Sequence, residues 1–402
     1  MKYLLKTALC LLLCALLSLP ALAEEGEELT CGDYTYVLLE DGGARITGYD
    51  GEDAELTVPD ELDGHPVREI GDDAFSSCVS LTTITLPDSL TTIGDGAFYI
   101  CVSLTTVTLP DSLTTIGDNA FYNCHALTTI TLPDGLTTIG DGAFYICESL
   151  TTVTLPDSLT TIGDNAFDRC RSLTTITLPE GLTSIGANPF SSCDSLAKID
   201  VSPDHPVFAQ IDGVLYEKAT KTLICYPAGK AGDTFAVPDG ILAIGDDAFY
   251  RCVSLTTVTL PDSLTTIGDS AFSFCESLTT VTLPDSLTTI GDHAFSNCES
   301  LTTITLPESL TSTGDYAFSR CYALTTVTLP EGLTSIGEGA FAFCESLTTV
   351  TLPDGLTSIG DSAFSNCDAL TLTVPRDSYA CQYAIDNGLT YIYPDANAWL
   401  NA

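Results

Sequence analysis

The chain has 402 residues, with 54 acidic against 13 basic side chains and a formal net charge of −41. That balance argues against nucleic acid as a partner, because a polyanion is bound by basic surface. Seventeen cysteines would suggest a disulfide scaffold if the chain is secreted, but twelve of them recur at one position of an internal repeat.

The N-terminus runs Met1-Lys2-Tyr3-Leu4-Leu5-Lys6, then an apolar stretch to Leu19 and Ala21-Leu22-Ala23 before Glu24. This is the layout of a secretory signal peptide, residues 1–23, cut after Ala23. Lipidation at Cys14 is the weaker reading, because the preceding residue is Leu13 rather than a small one. Cleavage removes Lys2 and Lys6 and no acid, leaving 11 basic and 54 acidic residues and a charge of −43. No later apolar run approaches the roughly 20 residues of a membrane span. The mature chain therefore reads as secreted or cell-surface, with no transmembrane segment.

Residues 24–69 hold Tyr34–Leu39, Asp41-Gly42-Gly43 and Ala44–Gly48, a hairpin with a glycine turn. They form an N-terminal β capping region, needed because an open solenoid end would expose its core and strand edge.

From Ile70 a 23-residue block recurs, typified by Ile116-Gly-Asp-Asn-Ala-Phe-Tyr-Asn-Cys-His-Ala-Leu-Thr-Thr-Ile-Thr-Leu-Pro-Asp-Gly-Leu-Thr-Thr138. It starts at Ile70, Ile93, Ile116, Ile139, Ile162 and Ile185 (residues 70–197). It resumes at Ile244, Ile267, Ile290, Thr313, Ile336 and Ile359 (residues 244–369). A fixed period of about 20 to 29 residues with strand-like leucines marks a leucine-rich-repeat solenoid, whose units bury their apolar sides by stacking. Ile84 and Leu86 alternate with Thr83 and Thr85, the pattern of a strand with one buried face. Pro87 ends the strand, Asp88-Ser89 turns, Leu90 and Ile93 return to the core, and Gly94 lets the chain bend. Asp95 reads as the N-cap of a short helical turn, Gly96–Cys101, that points Ala97 and Phe98 inward. The predicted fold class is an α/β repeat solenoid. It is a right-handed superhelix with a parallel sheet on the concave face, short helical turns opposite, a β-hairpin N-cap and a helix-strand C-cap. Thr313, in place of the repeat isoleucine, would bury an unpaired hydroxyl at a cost of roughly 1 to 3 kcal/mol.

Residues 198–243 interrupt the repeat. Val214–Tyr216 and Leu223–Tyr226, joined through Glu217–Thr222, read as a second hairpin. The four lysines of the mature chain, Lys198, Lys218, Lys221 and Lys230, lie on or beside this insertion. They either blunt exposed strand edges or mark a docking point, which makes Lys218 and Lys221 candidate binding residues. After the second array, residues 370–402 form a C-terminal cap, with a helix over Tyr379–Gly388 stopped by Asn387-Gly388 and a strand at Thr390–Tyr393.

The twelve repeat cysteines, Cys78 to Cys193 and Cys252 to Cys367, form a ladder of in-register side chains that point the same way rather than at each other. They read as small buried apolar groups; metal binding is the sharper alternative, without a C-x-x-C pair to support it. The mature count is odd, so Cys31, Cys225 and Cys381 are left with an open redox state. Repeated acids at the Asp72 and Asp88 positions form ladders about 4.8 Å apart, inside the roughly 8 Å Debye length of physiological salt. Stabilisation by salt and non-specific divalent cation association are expected.

Ten coils carry outward threonine pairs, from Thr83/Thr85 to Thr175/Thr177 and from Thr257/Thr259 to Thr349/Thr351, broken by Lys198 and Asp200. So uniform a face suits a repetitive target such as a polysaccharide or ice, or is simply a soluble face built from a strand-favouring residue. Variation concentrates in the turn that follows the inward phenylalanine. Tyr99, Tyr122, Tyr145 and Tyr250 stand directly after it in four coils, and Ile100, Ile146, Phe274 and Phe343 at the next position. Aromatics carry much interface energy, so Tyr99, Tyr122, Tyr145, Tyr250, Phe274 and Phe343 are the candidate binding residues.

The Ile-Gly-Asp-x-Ala-Phe-x-x-Cys and Leu-x-x-Ile-x-Leu-Pro segments resemble those of the BspA-like, or Treponema-type, leucine-rich-repeat family of bacterial surface proteins, from Asp33 to about Tyr393. The resemblance implies a secreted or surface-attached protein that adheres to, or binds, a protein or glycan partner on a host or microbial surface. Four scattered histidines and the lack of H-E-x-x-H, G-x-S-x-G or phosphate-binding glycine loops leave no catalytic or cofactor-binding residues to name. The sequence thus points to a non-enzymatic binding protein, with an acidic surface spacer or coat as the alternative.

Overall fold

The computed structural model describes residues 26–394; the expected signal peptide and the last eight residues lie outside them. Each coil contributes two short parallel strands. Thr83–Thr85 pairs in register with Thr106–Thr108, so that Ile84 faces Val107, and Thr92–Ile93 pairs with Thr115–Ile116. With copies 23 residues apart and in register, each side chain sits against its own counterpart. Threonine hydroxyls use this directly: Thr137 Oγ1 donates to the carbonyl of Thr114, and Thr160 Oγ1 to that of Thr137.

The third side of the coil is the Gly-Asp-x-Ala-Phe-x-x-Cys segment, and it is not helical. The N–H groups of Ala97, Tyr99 and Cys101 bond back to Gly94, Gly96 and Phe98, while those of Gly96, Phe98 and Ile100 bond to Asp118, Ala120 and Tyr122 in the next coil. A helix keeps these bonds within its own segment; here every second donor is taken by the neighbour. The expected short helical turns are therefore runs of turns, and the fold is a leucine-rich-repeat solenoid of about 15 coils with almost no helix. Except in the coil of Asn188, two residues per turn adopt left-handed backbone, such as Asn119 (φ 54) and Asn123 (φ 56), a conformation that asparagine tolerates.

The N-cap expected at Asp95 is corrected in the same way. Its Oδ1 accepts the N–H of Asp118 one coil on, at 2.8 Å, and Asp118 in turn accepts from Asp141. A Cβ on Gly117 would lie 2.5 Å from Asp95 Oδ1, which is why glycine precedes the aspartate. The acidic ladder is thus partly a ladder of main-chain acceptors.

Inside, Phe75, Phe98, Phe121, Phe144, Phe167 and Phe190 stack with centroids 5.1 to 5.8 Å apart. The repeat cysteines are free thiols. They do more than fill space, since Cys124 Sγ donates to the carbonyl of Phe98 at 3.3 Å and Cys147 to that of Phe121 at 3.2 Å. Thr313 is buried as expected, but its hydroxyl is paired: Oγ1 accepts the N–H of Gly337 at 3.0 Å. The predicted cost of an orphaned hydroxyl does not arise.

Degenerate coils add to the twelve. Ala44–Tyr49 pairs in parallel with His65–Ile70, and Glu55–Thr57 with Thr83–Thr85, so residues 46–69 close one further turn behind the hairpin Tyr34–Leu38/Ala44–Tyr49. At the other end Ser378 caps the helix Tyr379–Asp386, and Tyr391–Ile392 joins Thr371–Thr373.

The insertion repeats the arrangement of the N-terminal cap. Phe208–Ile211, Val214–Glu217 and Thr222–Cys225 form an antiparallel meander whose last strand pairs in parallel with Ala243–Ile244, and Thr234–Ala236 pairs with Thr257–Thr259. The last two strands of this meander pack apolar side chains on both faces. Leu215 and Cys225 join the apolar core of the first array, whereas Val214, Tyr216, Leu223 and Tyr226 join that of the second. It is a septum between two cores.

Candidate functional site

The strand face is nearly constant. Val153 is buried between exposed Thr152 and Thr154, and Val281 between Thr280 and Thr282. The array stops at the septum, where Lys198 and Asp200 stand opposite Thr175 and Thr177 and pair with each other at 2.6 Å. A groove of about 880 Å³ follows there, lined by Thr154, Thr177, Asp200 and neighbours.

The turn ridge varies. Tyr99 stacks on Tyr122 at 4.5 Å and Tyr122 on Tyr145 at 5.1 Å. The next two coils place Asp168 and Ser191 at this position. The ridge then breaks, because Leu223 and Tyr226 of the degenerate coil stand three residues apart where Ile244 and Phe249 stand five apart. The shortened corner lets Asn188 Nδ2 donate directly to the carbonyl of Asp247 at 2.7 Å. Tyr122, Tyr145, Asp168, Arg169, Asp247 and Tyr250 consequently line one cleft of about 620 Å³, together with Asp141 and Asp164.

The cleft is electrostatically uneven. The Arg169 guanidinium lies over the Tyr145 ring, 5.7 Å from its centroid. Asp168 is 8% exposed, and burial pushes its carboxyl up to about 6, with Arg169 and the nearby Ser192 hydroxyl opposing the shift. Ser192 Oγ nonetheless makes no hydrogen bond of sound geometry, and Asp168 Oδ1 has no partner either. Burial and the neighbouring carboxylates of Asp246, Asp168 and Asp269 raise Asp247 to about 6 as well.

The other predicted residues are dispersed. Phe274 meets the edge of Tyr250 at 5.5 Å, and with Phe343 it lines a smaller hollow of about 480 Å³ that also holds Tyr316 and Arg320. Arg251 and Arg320 sit over Phe274 and Phe343, respectively. The cleft lining includes neither Lys218, whose ammonium donates to the carbonyl of His205, nor Lys221, exposed beyond the hairpin turn at φ 55. Sequence reasoning missed Asp168, Arg169 and Asp247. Their signal was there as departures at the aromatic position and the two left-handed positions of the turn. Among the described residues no group of three or more His, Cys, Asp or Glu is placed to hold a metal ion.

A family model described as BspA type leucine rich repeat region matches in six copies over residues 68–197 and 242–371, about two thirds of the chain. The chain belongs to this family. BspA-like leucine-rich-repeat proteins are cell-surface proteins. A leucine rich cell surface protein from Faecalibacterium prausnitzii is 35% identical over 89% of this chain and 97% of its own, with a TM-score of 0.67. A leucine-rich repeat protein from Eubacterium ventriosum is 25% identical over 85% of this chain and 95% of its own, with a TM-score of 0.59. The pneumococcal vaccine antigen PcpA, 23% identical over 92% of this chain and 98% of its own, shares the fold with a TM-score of 0.76. No curated protein matches the chain. No helix among the described residues is long and apolar enough to cross a membrane.

Proposed function

We propose that this BspA-type protein is a non-enzymatic secreted or cell-surface binding protein, exported through residues 1–23. In this reading its partner, a protein or glycan on a host or microbial surface, docks on the turn ridge where the septum opens it. Tyr122, Tyr145 and Tyr250 form the centre of the contact, with Tyr99, Phe274 and Phe343 extending it. The supporting observation is a coincidence of position: the repeat varies on the same ridge that the shortened corner of residues 221–243 opens into a cleft. Half-buried aromatic rings beside polar groups are typical anchors of a contact surface. The uniform threonine face favours a second reading, an acidic spacer or coat without a specific ligand.

A glycan and protein array probed with residues 24–402 separates the two. Selective partners lost on Tyr145→Ala and Tyr250→Ala support the binding reading. An array without selective partners rejects it in favour of the spacer.

A further inference from the structure

The cleft carries more information than its aromatic rings. Four carboxylates, those of Asp141, Asp164, Asp168 and Asp247, line it against the single guanidinium of Arg169. Asp141 and Asp164 already accept main-chain N–H groups, from Asp164 and Ala187. Asp168 differs: it is 8% exposed and its Oδ1 has no hydrogen-bond partner. An ionised carboxylate can only accept, and an unpaired buried acceptor is costly. The neighbouring Ser192 hydroxyl is likewise unpaired, and Arg169 and Arg251 already act on this carboxylate, so Asp168 is a buried acid short of hydrogen bonds whose charge favours a further cationic donor at the cleft.

The rings point the same way. Arg169, Arg251 and Arg320 each lay a guanidinium over a ridge aromatic, 5.4 to 5.9 Å from the centroid of Tyr145, Phe274 or Phe343. The ridge thus seats planar cations on its rings three times within this chain. A guanidinium brings five donors in a rigid fork and stacks on aromatic faces. The chain as a whole, with 54 acidic and 13 basic residues, attracts basic partners from a distance.

We infer that the cleft at the septum receives an arginine side chain from a basic segment of a partner protein, with Asp168 and Asp247 as its carboxylate contacts and Tyr145 and Tyr250 as its aromatic walls. This deepens the binding reading above and rests on it.

The test uses residues 24–402 and a fluorescent twelve-residue peptide of alternating arginine and glycine, with a citrulline version as the neutral isostere and a glucosamine hexamer as competitor. Binding is read by anisotropy at low and physiological salt. Asp168→Asn and, independently, Asp247→Asn are each expected to weaken the arginine peptide tenfold or more. Asp111→Asn, the same charge change at an exposed turn, should weaken it less than twofold, and citrulline should abolish binding. Equal losses for Asp168→Asn and Asp111→Asn would reveal diffuse attraction to an acidic surface and overturn the proposal. So would citrulline binding as well as arginine, or displacement by the glucosamine hexamer of a peptide that Asp168→Asn does not weaken. A partner from the array that is lost on Tyr145→Ala while the arginine peptide fails to bind would refute the arginine assignment and leave the binding surface standing.

Discussion

On the strand face Thr152 and Thr154 give way one coil later to Thr175 and Thr177 and, beyond the septum, to Thr280 and Thr282. On the turn ridge of the same coils Tyr145 is followed by Asp168, Ser191 and then Tyr250. The contrast has a physical origin. Strand residues lie directly against their copies in register, so one β-branched residue serves every coil. At the aromatic position and the one after it, the main chain bonds within and between coils, as Tyr99 N–H to Gly96 and Ile100 N–H to Tyr122, so the side chains at those two positions are released to differ. Uniformity thus marks what holds the solenoid together, and variation marks what it can present.

The septum should give the sharpest break between these regions. Leu215 is fully buried in the first core on a strand whose neighbours face the second. Leu215→Ala is expected to cost about 2 to 5 kcal/mol in urea denaturation, whereas Thr154→Ala on the strand face should stay within about 0.5 kcal/mol. Comparable small losses at both positions would mean that the insertion is a surface decoration.

Asp168 tests the ridge from the side of charge. Its folded pKa, raised to about 6, lies above the ~3.9 of an unfolded aspartate, so the folded state holds the proton more tightly. This group therefore stabilises the protein below pH 4, and that contribution is lost as the pH rises to 6. At pH 7 the buried charge costs on the order of 2 kcal/mol. Asp168→Asn should accordingly raise the melting temperature at pH 7 and change it little at pH 4; a gain of equal size at both would place the effect elsewhere.

Within the acidic ladders, position should matter more than charge. Asp118 accepts the N–H of Asp141 at 2.8 Å, while Asp111 lies exposed in a turn. Asp118→Ala is expected to destabilise by about 1 to 2 kcal/mol and Asp111→Ala to be neutral or slightly stabilising, both read by chemical denaturation. If the two behave alike, the ladder is only a row of surface charges. The smallest effect belongs to the left-handed positions. Ile146, at φ 61, is β-branched where such residues are strained, so Ile146→Asn should stabilise by about 1 kcal/mol. A lower melting temperature would show that its side-chain packing outweighs the strain.

Much of the solenoid was readable from its period. In-register stacking follows from twelve blocks spaced alike, and the N-terminal hairpin and C-terminal helix from glycine turns and an Asn-Gly stop. The degenerate coils were not, because Ile46 and Ile70 stand 24 residues apart and residues 221–243 lose two residues at one corner. The role of Asp95 was misread because Gly-Asp-x-Ala looks the same before a helix as before a turn, and the N–H that its carboxylate accepts belongs to another coil. The aromatic ridge residues could be picked from the sequence, but the cleft depends on Asn188 meeting Asp247, a contact spanning 59 residues that no local pattern encodes.

The most direct test is one array of glycans and proteins probed in parallel with three forms of residues 24–402: wild type, Tyr145→Ala/Tyr250→Ala and Thr152→Ala/Thr154→Ala. Partner binding should fall tenfold or more in the tyrosine pair and less than twofold in the threonine pair. Loss in the threonine pair with the tyrosine pair unaffected would move the binding surface to the strand face and contradict the account.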